Sequence, residues 1–527
     1  MKKFSSYGPV NKQVHYFVQR DKIIEDTYNQ LTGDIKSEKG HYITVWAPRQ
    51  TGKTWIMQQV MQKIRLNDTF EVAMIDMQPV NEINSDEKIL QFFIKQLEKC
   101  LGRELPEIND WIYLTEIFEK KYFKHPFILI IDEFDSLKDT FINKFASLFR
   151  SLYISRMNES ESDKNKNCCM LHGLALIGIH SVLGIENVSG SPFNVQRSVR
   201  IPNFSEDEVQ QLFHIYEQES GQTIESLVIS NINEEFKGQP GLTCWFAELI
   251  TEKYNERPDK PISMSNFKKV YALALHTLPN NNIINIISKV KSSPYKEQVL
   301  ELFKTEEKIP YSFNDPIFTY LYMIGVIDYD MKDNYAFFVR FQSPFIQKTL
   351  FSYFSREIFR QMGQLIDPFI DIDQIITKEH LDILAIIKLY EQYLKKNKHW
   401  LLKNAPRRDD MRIYEAVYHF NFYMYLCQLL RSDAHIFPEF PTGNGKVDIM
   451  IQYHKNIYAI EIKSFTNKRG YHDALIQAKQ YAEQLGLLEI TLLFFLEFID
   501  DENRNKYEKS FVDKPTGIRV ESVFVVC

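Results

Sequence analysis

Apolar residues in this chain fall into runs of two kinds. Some are short and unbroken: Tyr42-Ile43-Thr44-Val45-Trp46, Val72-Ala73-Met74-Ile75, Phe127-Ile128-Leu129-Ile130-Ile131 and Leu174-Ala175-Leu176-Ile177. Such runs predict strands covered on both faces, and the helical pattern after the first (residues 55–66) makes the arrangement strand, helix, strand. Strands alternating with helices imply a parallel sheet with helices on both sides. From about residue 283 the pattern changes. Residues 295–303 and 316–323 read as short helices, and 326–329 with 336–341 as a hairpin across Asp330-Met331-Lys332-Asp333-Asn334. Residues 357–402 are helical, with Leu381, Ile383, Leu384 and Ile387 on one stripe, until Asn404-Ala405-Pro406-Arg407-Arg408-Asp409-Asp410 breaks the run. A last region has a helical run at 413–430, then Asp448-Ile449-Met450-Ile451, a polar turn at His454-Lys455-Asn456, and Ile457-Tyr458-Ala459-Ile460 leading into Glu461-Ile462-Lys463. This last stretch predicts a β-hairpin, and residues 473–481 a helix after it.

The hairpin carries chemistry. Side chains alternate along a strand, so Glu461 and Lys463 share a face, and a turn near Lys455 brings Asp448 alongside them on the paired strand. Two carboxylates and an ammonium suit Mg²⁺, which takes one or two carboxylates and keeps several waters. The lysine can orient an attacking water or neutralise developing phosphate charge. The alternative is a solvated hairpin whose charges merely alternate with core residues. On the following helix Gln477 and Tyr481 lie four apart on one face, and Glu415 lies on the helical run that precedes the hairpin. The order Glu, D…ExK on a hairpin, then QxxxY on a helix resembles the PD-(D/E)XK nuclease superfamily, in particular its RecB-like branch. That resemblance implies Asp448 and Glu461 as metal ligands for Mg²⁺ or Mn²⁺, Lys463 as catalytic, Gln477 and Tyr481 as supporting residues and Glu415 as an accessory acid. Lys446-Val447 stands where the motif's name has a proline.

The first strand runs into Ala47-Pro48-Arg49-Gln50-Thr51-Gly52-Lys53-Thr54 and then into a helix. Strand, GxxxxGK[ST] and helix form the P-loop arrangement, here with Ala47 in place of the first glycine, in which backbone N–H groups cradle phosphates of ATP or GTP. Lys53 would hold the β- and γ-phosphates and Thr54 the Mg²⁺. The third strand ends in Asp132-Glu133, predicting Asp132 as the second metal-holding acid and Glu133 as the group that polarises the attacking water. His180, past the fourth strand, is placed to sense the γ-phosphate or to cap or cover the surface. Tyr16-Phe17-Val18-Gln19-Arg20, Arg49-Gln50-Thr51-Gly52-Lys53, Ser191-Pro192-Phe193-Asn194-Val195, Ile201-Pro202-Asn203-Phe204 and Gly238-Gln239-Pro240 resemble AAA-like ATPases of the STAND group. This implies an ASCE-type core with a helical lid, Pro240 near the nucleotide, and an ATPase that switches an effector domain. Arg197 and Arg200 are candidates for an arginine finger, with a surface role the expectation for each. The two short helices and hairpin suggest a winged helix, and its non-basic wing points to a packing role.

With 527 residues the chain exceeds one hydrophobic core. The expected division is 11–280 for the ATPase with its lid, 281–360 for the winged-helix-like part, 361–405 for a helical link and 406–527 for the nuclease fold: an α/β multidomain protein. Hydrophobic residues at 44% and charged residues at 25% fit a globular protein, and a net charge of −6 gives no global basic field for nucleic acid. Positive charge would have to be confined to a groove. Cys100, Cys168, Cys169, Cys244, Cys427 and Cys527 show no metal-ligand spacing, which fits a reduced cytoplasmic setting. The start lacks an apolar signal core, and the run at 487–498 is interrupted by Glu489 and Glu497 and falls short of the ~20 residues a membrane helix needs. The polar stretch 159–167 reads as an exposed loop. The sequence thus predicts a cytoplasmic, ATP-regulated, Mg²⁺-dependent nuclease acting on DNA, in a genome-defence setting, triggered by self-assembly or a partner protein. Its rivals are a signalling or scaffold ATPase with a DNA- or partner-binding C-terminal domain, and a DNA-translocating motor.

Overall fold

A computed structural model describes residues 2–8, 10–33, 40–158, 169–178, 197–303, 309–331, 336–407, 415–431, 433–441, 446–464, 468–496 and 498–526. His180, 191–195, 159–167, most of the wing tip and 408–414 lie outside the described residues. The chain divides into two compact units, one of Met1–His276 with Phe313–Val326, the other of Thr277–Ser312 with Ile327–Cys527.

In the first unit the chain runs α1 (Asp21–Thr32), β1 (Tyr42–Trp46), α2 (Lys53–Arg65), β2 (Glu71–Asp76), α3 (Asp86–Leu101), β3 (Phe127–Asp132), α4 (Asp139–Asn158), β4 (Leu171–Ile177) and β5 (Arg197–Arg200). The four predicted strands and β5 form one parallel sheet in the order β2-β3-β4-β1-β5. All six residues of β3 are buried, as an unbroken apolar run requires when helices cover both faces. One face packs with α3 and α4 through Phe93, Phe145 and Phe149, the other with α1 and α2 through Leu31, Met57 and Val60. Four helices follow, where a lid is expected: α5 (Glu206–Ser220), α6 (Ser226–Phe236), α7 (Pro240–Glu248) and α8 (Met264–His276). Ser205 and Glu208 close a reciprocal capping box that starts α5.

The chain continues through α9 (Asn281–Val290), α10 (Tyr295–Leu302), α11 (Pro316–Met323), β6 (Ile327–Met331), β7 (Phe337–Phe341) and α12 (Pro344–Ile358). These are the helices and hairpin expected of a winged helix, but α11 packs with the first unit and the others with the second. Gly325, just after α11, sits at φ +81°, and a Cβ there would come within 2.9 Å of Pro48. The Tyr322 ring stands edge-on to Trp46 at 5.8 Å.

The second unit adds α13 (Ile383–Leu401), α14 (Glu415–Leu430), β8 (Ala434–Pro441), β9 (Lys446–Tyr453), β10 (Asn456–Ser464), α15 (Lys468–Leu485), β11 (Glu489–Leu496), α16 (Asp501–Tyr507), β12 (Ser510–Val512) and β13 (Arg519–Val526). Their sheet has the order β12-β13-β11-β10-β9-β8, parallel in its middle (β10, β11, β13) and antiparallel at both edges. Along β11, Phe494 joins the core under α15, while its neighbour Phe495 meets Tyr390 of α13 and Tyr418 of α14 on the opposite side. Helix α12 leans on α14 through Phe351, 4.7 Å from Phe420. Residues 361–405, expected as a link, are built into this unit: the apolar stripe of α13 is buried, and Glu391 receives a two-pronged bond from Arg504 at 3.0 and 3.1 Å and a third from the Val526 N–H. An apolar stripe announces that a helix is covered; only the tertiary structure says by what. Among the described residues no helix is long and apolar enough to cross a membrane.

Candidate functional site

Two clusters carry chemistry, one in each unit. In the first, β1 delivers the chain into the 47–52 loop, where Gln50 (φ +57°) and Gly52 (φ +88°) take left-handed conformations that bend the backbone around a cavity at the start of α2. Lys53 Nζ donates to the carbonyls of Ala47 (2.8 Å) and Pro48 (3.2 Å), and Thr51 Oγ1 donates to Pro48 O at 2.8 Å. Because β4 lies between β1 and β3, the end of β3 faces the loop across the site, and Thr54 Oγ1 donates to Asp132 Oδ2 at 2.7 Å. Asp132 also accepts from the Glu133 N–H at 3.0 Å, which holds Glu133 in a left-handed turn (φ +50°).

Burial pulls the Lys53 ammonium below its usual value, against the pull of Asp135, Glu133 and Asp132. Burial raises Asp132, partly offset by Thr54 and the Glu133 N–H, and burial followed by Asp135 and Asp132 raises Glu133. A desolvated lysine beside two acids raised by burial is a set of groups whose shifts a Mg²⁺-nucleotide would offset. The Thr54 hydroxyl beside the Asp132 carboxylate is the oxygen pair that fits Mg²⁺, and the open N–H groups at the start of α2 fit phosphate. A cleft of about 450 Å³ opens beside them, reaching Gln58, Arg65, Asp76 and Gln78.

Pro240 is buried as the first residue of α7, and its flanking residues do the touching. Gln239 caps α7 through the Leu242 N–H and donates to Arg49 O at 2.9 Å; the Gly241 N–H donates to Gln50 O at 2.9 Å. Gln239 and Gly241 thus tie α7 to the loop, whereas the sequence pointed only to the proline between them, as a residue near the nucleotide. Asp135 is a second omission: a Cβ on Gly178 would lie 2.7 Å from its carboxyl, and its charge acts on Lys53. The run Asp-Glu-Phe-Asp was the available signal. Arg197 donates to Gln30 at 3.2 Å, and Arg200 lies over the Tyr322 ring at 4.7 Å.

The second cluster is on the β9–β10 hairpin. Tyr453 pairs with Asn456, leaving His454 (φ +51°) and Lys455 as a two-residue turn, and Ile449 pairs with Ile460. The next step in the register sets Asp448 opposite Glu461. Asp448, Glu461 and Lys463 are 2, 1 and 6% exposed, so all three charges are withdrawn from water. Asp448 Oδ2 accepts from the Ile462 N–H at 2.6 Å, and Lys463 Nζ pairs with Glu461 at 3.0 Å. From α15, Gln477 donates to the Tyr481 hydroxyl at 2.7 Å. Tyr481 is raised by burial and then by Glu461, which places it against the acids. Glu415 opens α14, and its side chain lies outside the described part of the structure.

Burial and then Asp448 push the Glu461 carboxyl well above the usual carboxylate range. Burial alone would lower Lys463, but Glu461 and Asp448 overcome it and raise it. Among the described residues no three His, Cys, Asp or Glu side chains gather as a metal cage. Two buried, mutually repelling carboxylates beside one ammonium nevertheless match the sparse carboxylate set that Mg²⁺ accepts, and a cation between them would relieve the repulsion from Asp448 that adds to burial in raising Glu461.

Residues 5–256 match the family model of the AAA-like domain, and this part of the chain is an AAA-like P-loop ATPase domain, whose nucleotide is ordinarily bound with Mg²⁺. No curated protein matches the sequence. Among solved structures, a Walker-type ATPase of Pyrococcus abyssi is similar at 13% identity over 66% of this chain and 99% of its own, with a TM-score of 0.44. The ORC1 protein of Aeropyrum pernix, solved in complex with DNA, is 13% identical over 63% of this chain and 92% of its own, with a TM-score of 0.33. The RuvB Holliday junction branch migration motor of Thermotoga maritima is 11% identical over 61% and 92%, with a TM-score of 0.32.

Proposed function

We propose that the chain is an ATP-regulated, metal-dependent nuclease that hydrolyses phosphodiester bonds of DNA. The observation that carries this reading is the burial of Asp448, Glu461 and Lys463 on one face of a hairpin, under the Gln477–Tyr481 pair of α15. Burying three charges is costly, and removing them for apolar residues is often stabilising, so a fold that keeps them has a use for them. Asp448 and Glu461 would hold Mg²⁺, or Mn²⁺ in its place, which when bound supplies a more acidic water and neutralises phosphate charge. Lys463, raised by its acidic neighbours, stays protonated at neutral pH and therefore acts as a cation toward the scissile phosphate rather than as a base. Gln477 and Tyr481 support that site from α15, and Glu415 serves as an accessory acid.

In the ATPase unit, Lys53 binds the β- and γ-phosphates, Thr54 and Asp132 hold Mg²⁺, and Glu133 accepts the proton of the attacking water, a role its raised proton affinity suits. Ala47 to Gly52 supply the phosphate cradle, and Pro240 lies near the nucleotide at the start of α7, which Gln239 and Gly241 bond to that cradle. The ATPase acts as a switch of the STAND kind, released by self-assembly or a partner protein in a defence setting. The test is Mg²⁺-dependent plasmid cleavage by wild type, Asp448→Ala and Lys53→Ala, each with ATP, with a non-hydrolysable analogue and without nucleotide. Wild type cuts in a nucleotide-dependent manner, Asp448→Ala cuts about 10²-fold less or not at all, and Lys53→Ala loses the nucleotide response. Robust cutting by Asp448→Ala overturns the site; cleavage by wild type indifferent to nucleotide overturns the gating.

A further inference from the structure

Strand β8 is the sheet edge beside the hairpin, and its ladder to β9 runs in constant register from Ala434↔Tyr453 to Pro441↔Lys446. Pro438 pairs with Ile449 and Phe440 with Val447, so the register sets Glu439 opposite Asp448. Glu439 is in the left-handed region (φ +54°), although it is neither glycine nor asparagine and sits within a strand. Its side chain is 2% exposed, and Glu439 Oε2 accepts from Gln347 Nε2 of α12 at 2.8 Å, a bond that is itself buried.

Three features of this arrangement need one explanation. For the fold alone, glycine would meet the backbone demand at that rung without strain. A carboxylate there adds a buried charge to a strained position, and such positions are retained where surrounding structure uses them. The rung affected is the one that carries Asp448, whose other side is fixed by the Ile462 N–H of β10. Helix α12 packs against β8 and α14, so its grip on Glu439 reaches the hairpin from outside the sheet.

We propose that Glu439 is a positioning residue for the Asp448–Glu461–Lys463 site, with Gln347 of α12 as its anchor. From its left-handed turn opposite Asp448, Glu439 sets where the β9 backbone carries that carboxylate, so that it faces Glu461. The seat of α12 thereby sets the spacing of the two acids. This rests on the reading of those acids as a metal-binding nuclease site.

The test uses the full-length protein. Glu439→Gly removes the carboxylate while easing the backbone, so the variant keeps or gains thermal stability, yet the Mg²⁺ concentration for half-maximal plasmid cleavage rises by about 10-fold or more, the scale of a lost supporting contact at a metal site. Gln347→Ala shifts it in the same direction. Glu439→Gln, whose amide oxygen still accepts from Gln347, restores the metal dependence to within about threefold of wild type, and KM for DNA stays flat throughout. In parallel, Mn²⁺ binding to nucleotide-free protein is followed by electron paramagnetic resonance, with Asp448→Ala as the blank. Glu439→Gly that is stable but has wild-type metal dependence in both assays overturns the positioning role and leaves the nuclease reading standing. Wild-type protein that neither cuts nor shows Asp448-dependent Mn²⁺ binding overturns the nuclease reading, and this proposal with it.

Discussion

Each unit of this chain sets one lysine among acids, and the two lysines shift in opposite directions. Lys53 is bound by backbone carbonyls of its own loop, and burial wins, drawing it below its usual value despite Asp135, Glu133 and Asp132. Lys463 is paired directly with Glu461 at 3.0 Å, and the acids win, raising it despite burial. The difference is one of what each site lacks. The loop around Lys53 fits an anion, whereas Lys463 is already paired with Glu461, opposite Asp448 on the neighbouring strand. One site asks for phosphate with its metal, the other for a cation.

The strongest way to break that contrast is to remove one of the hairpin acids. Asp448→Ala or Glu461→Ala lowers cleavage by about 10²-fold or more, as loss of a preorganised charge in a dry site does, while ATP affinity is untouched because the residues lie in different units. Cleavage assays on plasmid beside equilibrium nucleotide binding measure both. Next in size is the ATPase pair. Glu133→Gln keeps nucleotide affinity but slows turnover by about 10²-fold, the usual share of a general base, whereas Lys53→Ala fails at binding itself. Steady-state hydrolysis together with fluorescent-nucleotide titration separates the two, and wild-type turnover by Glu133→Gln would return the base role to another group.

The protonation contrast has its own signature. Glu461 is raised in the fold, so its contribution to stability is present below the ordinary carboxylate value of 4.5 and is lost as pH rises toward the folded value. A divalent cation competes with that proton and removes the repulsion. The stabilisation given by Mn²⁺ therefore grows between about pH 6 and about pH 8, and Glu461→Gln abolishes the growth. Thermal unfolding of nucleotide-free protein with and without metal measures it; a metal increment flat with pH would mean that Glu461 is not a ligand.

Much of the two sites was legible because their signals are local. An unbroken run such as Phe127 to Ile131 ending in Asp132-Glu133 specifies a buried strand and what stands at its tip, and the Asp448 and Glu461 spacing specifies a hairpin with both acids on one face. What could not be read depends on distant pairing. Nothing near Glu439 in sequence announces Gln347, 92 residues away. Nothing in the stripe of α13 says that β13 covers it, and α11, expected within one winged helix, packs its Tyr322 on Trp46 of the ATPase strand instead. Pro240 was legible as a marker, but the contacts belong to Gln239 and Gly241.

That last correction yields the smallest and most local prediction. Gly241 is at the start of α7 with its N–H on Gln50 O, and a Cβ there would stand 2.5 Å from the Gln50 Cβ, closer than side chains tolerate. Gln50 itself holds the loop's left-handed bend at φ +57°, so it has little freedom to withdraw. Gly241→Ala then either shifts α7 away or tilts the loop, at about 1–3 kcal/mol for a methyl forced into a packed contact. If the lid is tied to the phosphate loop as the two hydrogen bonds indicate, part of that cost appears as weaker nucleotide binding, by about 5- to 10-fold for about 1 kcal/mol, with the metal response of the C-terminal site unchanged. Nucleotide titration and thermal unfolding of the same variant divide the cost between affinity and stability. A variant that loses stability but binds ATP as wild type does would show that the Gly241 contact holds the lid in place without serving the nucleotide.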